Sequence, residues 1–430
     1  MKAVIIAGGS GSRLKTLTGG MWPKSMLKIG SKPLLEHQLE LFAREGIKEI
    51  VICAGHGWER IKDYFGSGDG LGISLTYSVE SRPLGTAGAF GRACAKDETP
   101  VFVLYGDILV NMDLRAFTDF HESKGGLATL AVHPNDHMVD SDLLELDENA
   151  RISRIHMKPH DPYRFYPNLD NCGFYILDPH VSDFIPDGSE VDFAHDVFPR
   201  ILESGKAMFG YRTAEYLKDM GTPERFEEVN DDWQTGKVQR SHRSKARPAV
   251  FLDRDGVLVQ ETDHLHAVDR LELLPSAAEA VNLINRSDFL AVLITNQSVI
   301  ARGMCTESDL RCIHNKLETL LGRERAWLDG IYYCPHHPEF EYKGLRHCPC
   351  RKPGTGMVED ARKDFNIDLG RSSFIGDTTR DAETARRSGI LPLLVKTGYA
   401  GQDDQFDAKK VAAHPDVLSA VRAALQRGTG

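Results

Sequence analysis

A short run of residues decides the fold of the C-terminal part: Ala249-Val250-Phe251-Leu252, followed at once by Asp253-Arg254-Asp255-Gly256-Val257. The four apolar residues predict a buried strand, and the glycine predicts a turn directly after it. Two carboxylates two residues apart at a strand end can divide a reaction, because one can attack while the other gives and takes a proton. An Asp-x-Asp pair alone is common on protein surfaces, so a catalytic role needs support from residues at the ends of other strands.

Two further apolar strands of this part also end in polar side chains. Leu293-Ile294 leads into Thr295, Asn296 and Gln297, and Phe374-Ile375-Gly376 leads into Asp377, with Asp381 four residues later. Arg351-Lys352-Pro353 adds a pair of cations suited to a phosphate. In this order the motifs resemble the haloacid dehalogenase phosphatase superfamily over residues 248–400.

That resemblance implies a role for each motif residue. Asp253 is expected to be the nucleophile and Asp255 the general acid and base. Magnesium is expected on Asp253, Asp255 (through its backbone carbonyl) and Asp377. The substrate phosphates are expected to meet four residues: Thr295, Asn296, Arg351 and Lys352. Cap domains of this superfamily follow the first or the second motif, and neither interval here is long enough for one, so we expect an open site.

A cluster of cysteines and histidines lies before the Arg-Lys-Pro motif. Cys334-Pro335-His336-His337 and His347-Cys348-Pro349-Cys350 can supply four ligands to a closed, structural Zn²⁺ site. We expect the ligands to be Cys334, His336, Cys348 and Cys350, with His337 or His347 as the alternatives to His336. Together with Thr-Asn-Gln-Ser and Ala-Arg-Gly at 301–303, this pattern resembles the heptose bisphosphate phosphatases of the superfamily, and histidinol-phosphate phosphatases share much of it.

The N-terminal part begins with a strand that runs into a glycine-rich loop. Val4-Ile5-Ile6-Ala7 precedes Gly8-Gly9-Ser10-Gly11-Ser12-Arg13, and Pro23-Lys24 follows. Backbone N–H groups of glycines can approach a polyphosphate closely, and Arg13 and Lys24 can neutralise it. The spacing therefore predicts a phosphate site.

Residues 1–233 resemble the sugar-1-phosphate nucleotidyltransferase family in the order of their motifs. The resemblance implies that Gly85, Thr86, Ala87 and Gly88 hold the base, that Asp107 and Asp219 bind Mg²⁺, and that Lys158 and Asn171 contact the sugar phosphate. Gly8, Gly9 and Gly11 are expected at the triphosphate, with Arg13 and Lys24 as catalytic cations. The family often has Glu before Lys-Pro where this chain has Met157, so the sugar pocket can differ.

Strands alternate with helices in both parts, which is typical of α/β folds. We expect a Rossmann-like nucleotidyltransferase domain with a mixed sheet over residues 1–234. A solvated, basic linker should follow at 235–247, and a capless haloacid dehalogenase-like Rossmannoid domain with a zinc loop at 248–430.

Composition limits the partners of the chain. Its 430 residues carry 52 Lys and Arg against 62 Asp and Glu, a net charge of −10, so a broad nucleic-acid footprint is not expected. No apolar run reaches the roughly 18 residues of a membrane span, and the first residues indicate a strand rather than an export signal. Scattered cysteines favour the reducing cytoplasm. The expected partners are GTP or another nucleoside triphosphate and heptose phosphates, and self-association is left open.

The two resemblances together predict consecutive reactions. Removing the C7 phosphate of heptose 1,7-bisphosphate leaves heptose 1-phosphate, which a guanylyltransferase can join to GMP to give GDP-D-glycero-α-D-manno-heptose. Alternatives are the same reactions on another sugar or base, such as mannose 1-phosphate with GTP or a dTTP- or UTP-using enzyme. A further alternative is a sensor that binds sugar nucleotides without turnover.

Overall fold

A computed structural model describes residues 1–9, 12–14, 17, 22–55, 57–94 and 98–427. The chain forms two compact units. The first comprises Met1–His133, Leu144–Met157 and Asn171–His242, and the second comprises Pro134–Leu143, Lys158–Asp170 and Arg243–Gly430.

The first unit is built on a mixed sheet. Its strands are β1 (Ala3–Ile6), β2 (Lys28–Ile29), β3 (Lys32–Pro33), β4 (Glu49–Ala54), β5 (Ser74–Val79), β6 (Val101–Tyr105), β7 (Ile108–Asn111), β8 (Ala128–His133), β9 (Leu143–Leu146), β10 (Ile152–His156), β11 (Asp170–Leu177), β12 (Met208–Arg212) and β13 (Tyr216–Asp219). The large sheet has the order β10-β9-β11-β6-β1-β4-β5, with β8 beside β11 and β12 beside β8. Strands β6, β1, β4 and β5 run parallel, and β11 joins β6 antiparallel, so the predicted mixed sheet is confirmed.

The helices of the first unit are α1 (Leu34–Arg44), α2 (Trp58–Phe65), α3 (Gly85–Cys94), α4 (Leu114–Lys124), α5 (Phe198–Glu203), α6 (Pro223–Gln234) and α7 (Lys237–Arg240). All four residues of β1 are buried, as expected for a central parallel strand covered on both faces. Helix α6 begins after Thr222, whose side chain accepts a hydrogen bond from the backbone N–H of Arg225.

The second unit is a parallel sheet between helices. Its strands are β14 (Ala249–Leu252), β15 (Leu290–Asn296), β16 (Gly330–Cys334), β17 (Ser373–Gly376), β18 (Leu391–Val395) and β19 (Ala412–His414), in the order β16-β15-β14-β17-β18-β19. Its helices are α8 (Ala277–Asn285), α9 (Glu307–Arg323), α10 (Gly356–Phe365), α11 (Thr379–Arg387) and α12 (Val417–Arg427). Short apolar runs at 249–252, 289–295, 330–333, 373–375 and 392–395 predict strands β14 to β18 to within one residue at each end, but no sequence pattern indicated β19 or α12.

Two segments from the N-terminal half of the chain, 134–143 and 158–170, belong to the second unit. The backbone N–H of Tyr166 donates to the hydroxyl of Thr319 on α9 (2.8 Å), and Asp136 forms an ion pair with Arg325 (2.9 Å). Met138 packs against α9 so closely that a Cβ at Gly322 would lie 2.1 Å from its sulfur atom. No sequence pattern indicated this packing, because it depends on which helix face the two segments meet.

The segment 235–247 differs from the expected solvated linker. It contains α7, in which Val238 is buried and accepts a hydrogen bond at its carbonyl from the side chain of Asn111 (2.9 Å). Farther on, the backbone N–H of Arg247 donates to the carbonyl of Asn366 (3.2 Å). Hydrogen bonds to residues that are distant in sequence therefore order both ends of the segment, which a count of basic residues does not reveal.

Among the described residues, no helix combines the length and apolar content that crossing a membrane requires.

Candidate active sites

The phosphatase-like motifs lie at the carboxyl ends of three neighbouring strands. Strand β14 pairs in parallel with β15 on one side and with β17 on the other, and Leu252 lies opposite both Leu293 and Ile375. Asp253 follows β14 directly, and its backbone N–H donates to the carbonyl of Ile375 (3.0 Å). Because parallel strands end at the same edge of a sheet, side chains that are distant in sequence converge there.

Three carboxylates meet at this edge: Asp253, Asp377 and Asp381 each offer an oxygen within 4.8 Å of the others. Burial, above all, raises the pKa of Asp253 to about 6 and the pKa of Asp377 to about 8. The pKa of Asp381 is lowered despite its burial, because Lys352 and Thr378 stabilise the carboxylate.

One buried lysine serves this cluster. The Nζ atom of Lys352 lies 2.7 Å from Asp253 Oδ2, 2.7 Å from Asp381 Oδ1 and 3.1 Å from the carbonyl of Ile294. One ammonium group does not balance three carboxylates, so the cluster fits a divalent cation bound by oxygen ligands.

The predicted metal set includes Asp255 only through its backbone carbonyl, and the side chain of Asp255 lies outside the cluster of three carboxylates. Its carboxylate is bound by Arg254 and Gln297, and the third carboxylate of the cluster belongs to Asp381, which the predicted metal set did not include. The sequence shows Asp381, but only the helical turn after β17 brings its carboxylate back to Asp253.

The remaining predicted phosphate ligands are each held by hydrogen bonds within the second unit. Asn296 and Lys352 exchange hydrogen bonds, from Lys352 N to Asn296 Oδ1 (3.0 Å) and from Asn296 Nδ2 to the carbonyl of Lys352 (3.2 Å). The hydroxyl of buried Thr295 accepts from Gln297 Nε2 (2.8 Å). Arg351 donates to the carbonyl of His336 (3.0 Å), and burial together with nearby Arg380 lowers its pKa.

The predicted zinc ligands come together at one point. Cys334 Sγ lies 3.4 Å from Cys348 Sγ and 3.3 Å from Cys350 Sγ, and His336 Nδ1 lies 3.6 Å from Cys350 Sγ. These four residues form a candidate metal centre. The alternative ligands lie elsewhere: His337 Nε2 pairs with Arg302 (3.0 Å), and His347 is an exposed residue outside the cluster.

In the first unit, the glycine loop follows β1 and meets Lys24. A Cβ atom on Gly9 would lie 3.3 Å from Lys24 Cε, so the lysine side chain lies close against the backbone of Gly9. A Cβ atom on Gly8 would likewise lie 3.3 Å from Glu80 Oε1, and no sequence motif indicated Glu80. Arg13 lies in a short 3₁₀ turn, Ser12–Leu14, and is exposed, while the predicted Gly11 is outside the described residues.

The two predicted metal aspartates of this unit lie side by side. Asp107 follows β6, and its carbonyl accepts from the N–H of Met220, next to Asp219 (2.8 Å). Each carboxylate has a cation: Lys24 Nζ contacts Asp107, and Arg225 Nη1 lies 2.9 and 2.8 Å from the two oxygens of Asp219. The arrangement provides two carboxylates and two cations beside a glycine loop, as a metal-bound polyphosphate requires.

The residues predicted to bind the base form the first turn of α3, which is fixed by the segment around Val191. Gly85 has φ +72°, and a Cβ there would lie 2.3 Å from the carbonyl of Val191, so only glycine fits. The N–H of Ala87 donates to that carbonyl (2.9 Å), that of Gly88 does the same (3.2 Å), and the hydroxyl of Thr86 donates to Asp192 (2.7 Å). The hydroxyl of Thr86 is therefore already engaged in holding the start of the helix.

The two amino-acid residues that are predicted to contact the sugar phosphate lie in different units. Asn171 belongs to the first unit and accepts a hydrogen bond from the backbone N–H of Gly173 (3.2 Å). Lys158 belongs to the second unit, where its Nζ donates to the carbonyl of Asp140 (2.8 Å).

Comparison with known proteins finds relatives for both halves of the chain. Residues 2–236 match the nucleotidyl transferase family model, and residues 349–423 match the HAD-hydrolase-like model. The chain is 40% identical to the D-glycero-beta-D-manno-heptose-1,7-bisphosphate 7-phosphatase of Rhodopseudomonas palustris, over 38% of this chain and 90% of that protein.

Two transferase relatives differ in the base that they are named for. A mannose-1-phosphate guanyltransferase of Debaryomyces hansenii is 32% identical over 62% of this chain and 73% of that protein. A UTP-glucose-1-phosphate uridylyltransferase of Synechocystis is 30% identical over 60% of this chain and 68% of that protein. The chain is thus a bifunctional enzyme that belongs to the nucleotidyl transferase family through its N-terminal part and to the HAD-hydrolase-like phosphatases through its C-terminal part.

Proposed function

We propose that this enzyme removes the C7 phosphate of D-glycero-D-manno-heptose 1,7-bisphosphate and then transfers GMP from GTP to the heptose 1-phosphate. The products are phosphate, pyrophosphate and GDP-D-glycero-α-D-manno-heptose. The observation that carries the proposal is the cluster of Asp253, Asp377 and Asp381 around Lys352, in a chain that also holds paired aspartates beside a glycine loop. The first reaction yields what the second consumes.

In the phosphatase reaction we assign Asp253 as the nucleophile. Lys352 Nζ is 2.7 Å from the Asp253 carboxylate, so its ammonium group can stabilise the negative charge of the phosphoryl group as it is transferred to Asp253. Asp255 gives a proton to the departing sugar oxygen and later takes one from water. Thr295, Asn296 and Arg351 hold phosphate oxygens. Mg²⁺, when held by Asp253 and Asp377, supplies positive charge for the phosphoryl oxygens.

We assign a structural Zn²⁺ to Cys334, His336, Cys348 and Cys350. Four ligands leave no open position, so the ion braces the loop that precedes Arg351 and Lys352 and takes no part in the chemistry.

In the transferase reaction the sugar phosphate attacks the α-phosphorus of the nucleoside triphosphate. Arg13 and Lys24 neutralise the charge that builds on the leaving pyrophosphate. Asp107 and Asp219 would hold Mg²⁺, which would supply positive charge to the phosphate oxygens. The glycine loop, Gly85–Gly88 and Asn171 position the nucleotide and the sugar. No covalent intermediate is required, so rate depends on alignment and charge.

A second candidate keeps both reactions but changes the base or the sugar. One observation in its favour is that the chain has similar sequence identity to a guanylyltransferase and to a uridylyltransferase. Another is that the phosphatase relatives are named for the β-anomer of the heptose bisphosphate. We propose GTP and the α-anomer of the heptose phosphate because both are needed for the product GDP-D-glycero-α-D-manno-heptose.

We further propose a transferase domain over 1–234, a connecting segment over 235–247 and a phosphatase domain over 248–430, in a protein of the cytoplasm. Its partners are small molecules, and self-association is left to measurement.

The test is phosphorus NMR of the protein with each anomer of heptose 1,7-bisphosphate, Mg²⁺ and, in turn, GTP, ATP, UTP and dTTP. Inorganic phosphate should appear first, and pyrophosphate should follow with GTP and the α-anomer. Pyrophosphate with UTP or dTTP instead would support the second candidate. Tight binding of a sugar nucleotide without release of either product would support the sensor.

A further inference from the structure

A buried guanidinium group lies next to the proposed acid and base of the phosphatase site. Arg254 stands between the two motif aspartates and is fully buried. Its Nε and Nη2 lie 3.1 and 3.0 Å from Asp255 Oδ1, and Nη2 lies 2.8 Å from Oδ2. The contact is the two-pronged kind that fixes the plane of a carboxylate.

Gln297 completes the arrangement from the end of the neighbouring strand. Its Nε2 donates to Asp255 Oδ2 (3.0 Å), and its Oε1 accepts from Arg254 Nη2 (2.8 Å). Because one nitrogen with two hydrogens faces three acceptors, these hydrogen bonds are shared. Together the two side chains engage both oxygens of the carboxylate and hold its orientation.

Burial argues that this pair serves orientation rather than stability. Placing a guanidinium group out of water is costly, and apolar residues often stabilise such a position equally well. Among the described residues, Arg254 Nη1 is also buried without a hydrogen-bond partner, which adds to the cost. The carbonyl of Arg254 meanwhile accepts from Leu258 N (2.9 Å) and Val259 N (3.0 Å), so the backbone is held as well.

We propose that Arg254 and Gln297 are positioning residues that hold the carboxylate of Asp255 where both proton transfers of the phosphatase reaction take place. This inference rests on the proposed phosphatase function. In the first step an Asp253 oxygen bonds to phosphorus, the ester P–O bond breaks, and the ester oxygen leaves with the electron pair and takes the proton of Asp255. In the second step a water oxygen bonds to phosphorus, Asp255 takes its proton, and the P–O bond to Asp253 breaks to restore the carboxylate.

The two steps can be separated with p-nitrophenyl phosphate, whose leaving phenolate needs no proton. For this ester kcat/KM reports the first step, whereas kcat reports hydrolysis of the phosphoaspartate when that becomes slow. With Arg254→Lys or Gln297→Met, we expect kcat to fall about 10- to 100-fold and a burst of nitrophenolate to appear, while kcat/KM stays within about 3-fold. With the sugar bisphosphate, both parameters should fall, because its alkoxide needs the proton.

Asp255→Asn should give the same pattern with a larger fall in kcat. Thr397→Val is the matched control, because Thr397 donates to the carbonyl of Gly256 (2.6 Å) and braces the same turn without contacting the Asp255 carboxylate. It should show no burst. Circular dichroism and thermal melting identify any variant that fails to fold, and the Arg254 and Gln297 variants test the inference separately.

A parallel fall of kcat and kcat/KM for p-nitrophenyl phosphate, without a burst, in a folded variant would overturn the inference and assign Arg254 a purely structural role. If the wild type cleaves p-nitrophenyl phosphate but not the heptose bisphosphate, the sugar substrate is wrong and the burst still tests the inference. If the wild type cleaves neither, both proposals fail.

Discussion

The two candidate sites balance the charge of their carboxylates in opposite ways. In the first unit, Asp107 and Asp219 have side chains 19% and 32% exposed, and each contacts a cation of its own, Lys24 or Arg225. In the second unit, Lys352, whose side chain is 2% exposed, contacts two of the three clustered carboxylates, those of Asp253 and Asp381. The first site is neutralised by its own residues, whereas the second keeps an excess of buried negative charge. We therefore expect a bound cation to contribute to the stability of the phosphatase site as well as to its chemistry.

The largest expected effect separates the sites completely. Asp253→Asn removes the nucleophile, so phosphate release from the bisphosphate should fall by about 10⁴-fold or more. Pyrophosphate release from heptose 1-phosphate and GTP should be unchanged. Loss of both activities in a folded variant would contradict two independent sites.

The reciprocal change is Asp107→Asn in the first unit. Loss of a metal ligand and of the partner of Lys24 should lower pyrophosphate release by about 100- to 1000-fold, with phosphate release retained. Asp113→Asn is the control, since Asp113 caps α4 through Ala116 N (3.0 Å) and has no place in the site. A control variant that loses as much activity would show that the effect of Asp107→Asn is structural.

Removing a zinc ligand should destabilise only the second unit. Cys350→Ser should lower the metal content by one zinc ion per chain and the free energy of unfolding of that unit by about 3 kcal/mol. Cys312→Ser, at an exposed thiol outside the cluster, should change neither. Metal analysis and calorimetry check this, and an unchanged zinc content in Cys350→Ser would rule out the site.

The smallest expected effect concerns pH. In Mg²⁺-free protein with zinc retained, Asp253 and Asp377 have pKa values of about 6 and 8, raised by burial above the usual 3.8. The folded state therefore binds more protons than the unfolded state between about pH 4 and 8, and the free energy of unfolding should fall as pH rises through this window. Thermal melting from pH 5 to 8.5 measures it.

Adding Mg²⁺ should restore most of the stability that is lost at pH 8. Without Mg²⁺, Asp377→Asn should make stability depend less on pH. If the free energy of unfolding of Mg²⁺-free protein rose with pH, the second site would not hold an excess of buried negative charge. The two sites would then not differ in the way described above.

Local sequence patterns predicted the strands that carry the sites. Apolar runs such as Val101–Tyr105 and Ala249–Leu252 allow few conformations other than a buried strand, and the polar residues that follow them must lie at its end. The four residues of the zinc centre could be chosen for a related reason, because pairs two residues apart on a short loop can reach one point.

Contacts between distant segments could not be predicted in this way. Nothing near Asp381 in sequence shows that its carboxylate joins Asp253 through Lys352, and nothing near Arg254 shows that it turns towards Asp255 and Gln297. The docking of Tyr166 on Thr319 spans 153 positions and likewise has no local signal.

By itself the sequence determined the strand ends, the order of the motifs and therefore the two kinds of chemistry, because these depend on side-chain type and on short-range periodicity. The tertiary structure alone decided which carboxylate faces the metal cluster and which is held by arginine, where Lys158 lies, and how segment 235–247 is ordered. Those outcomes depend on how separate elements pack and on which charges become buried together, and both are properties of the folded chain.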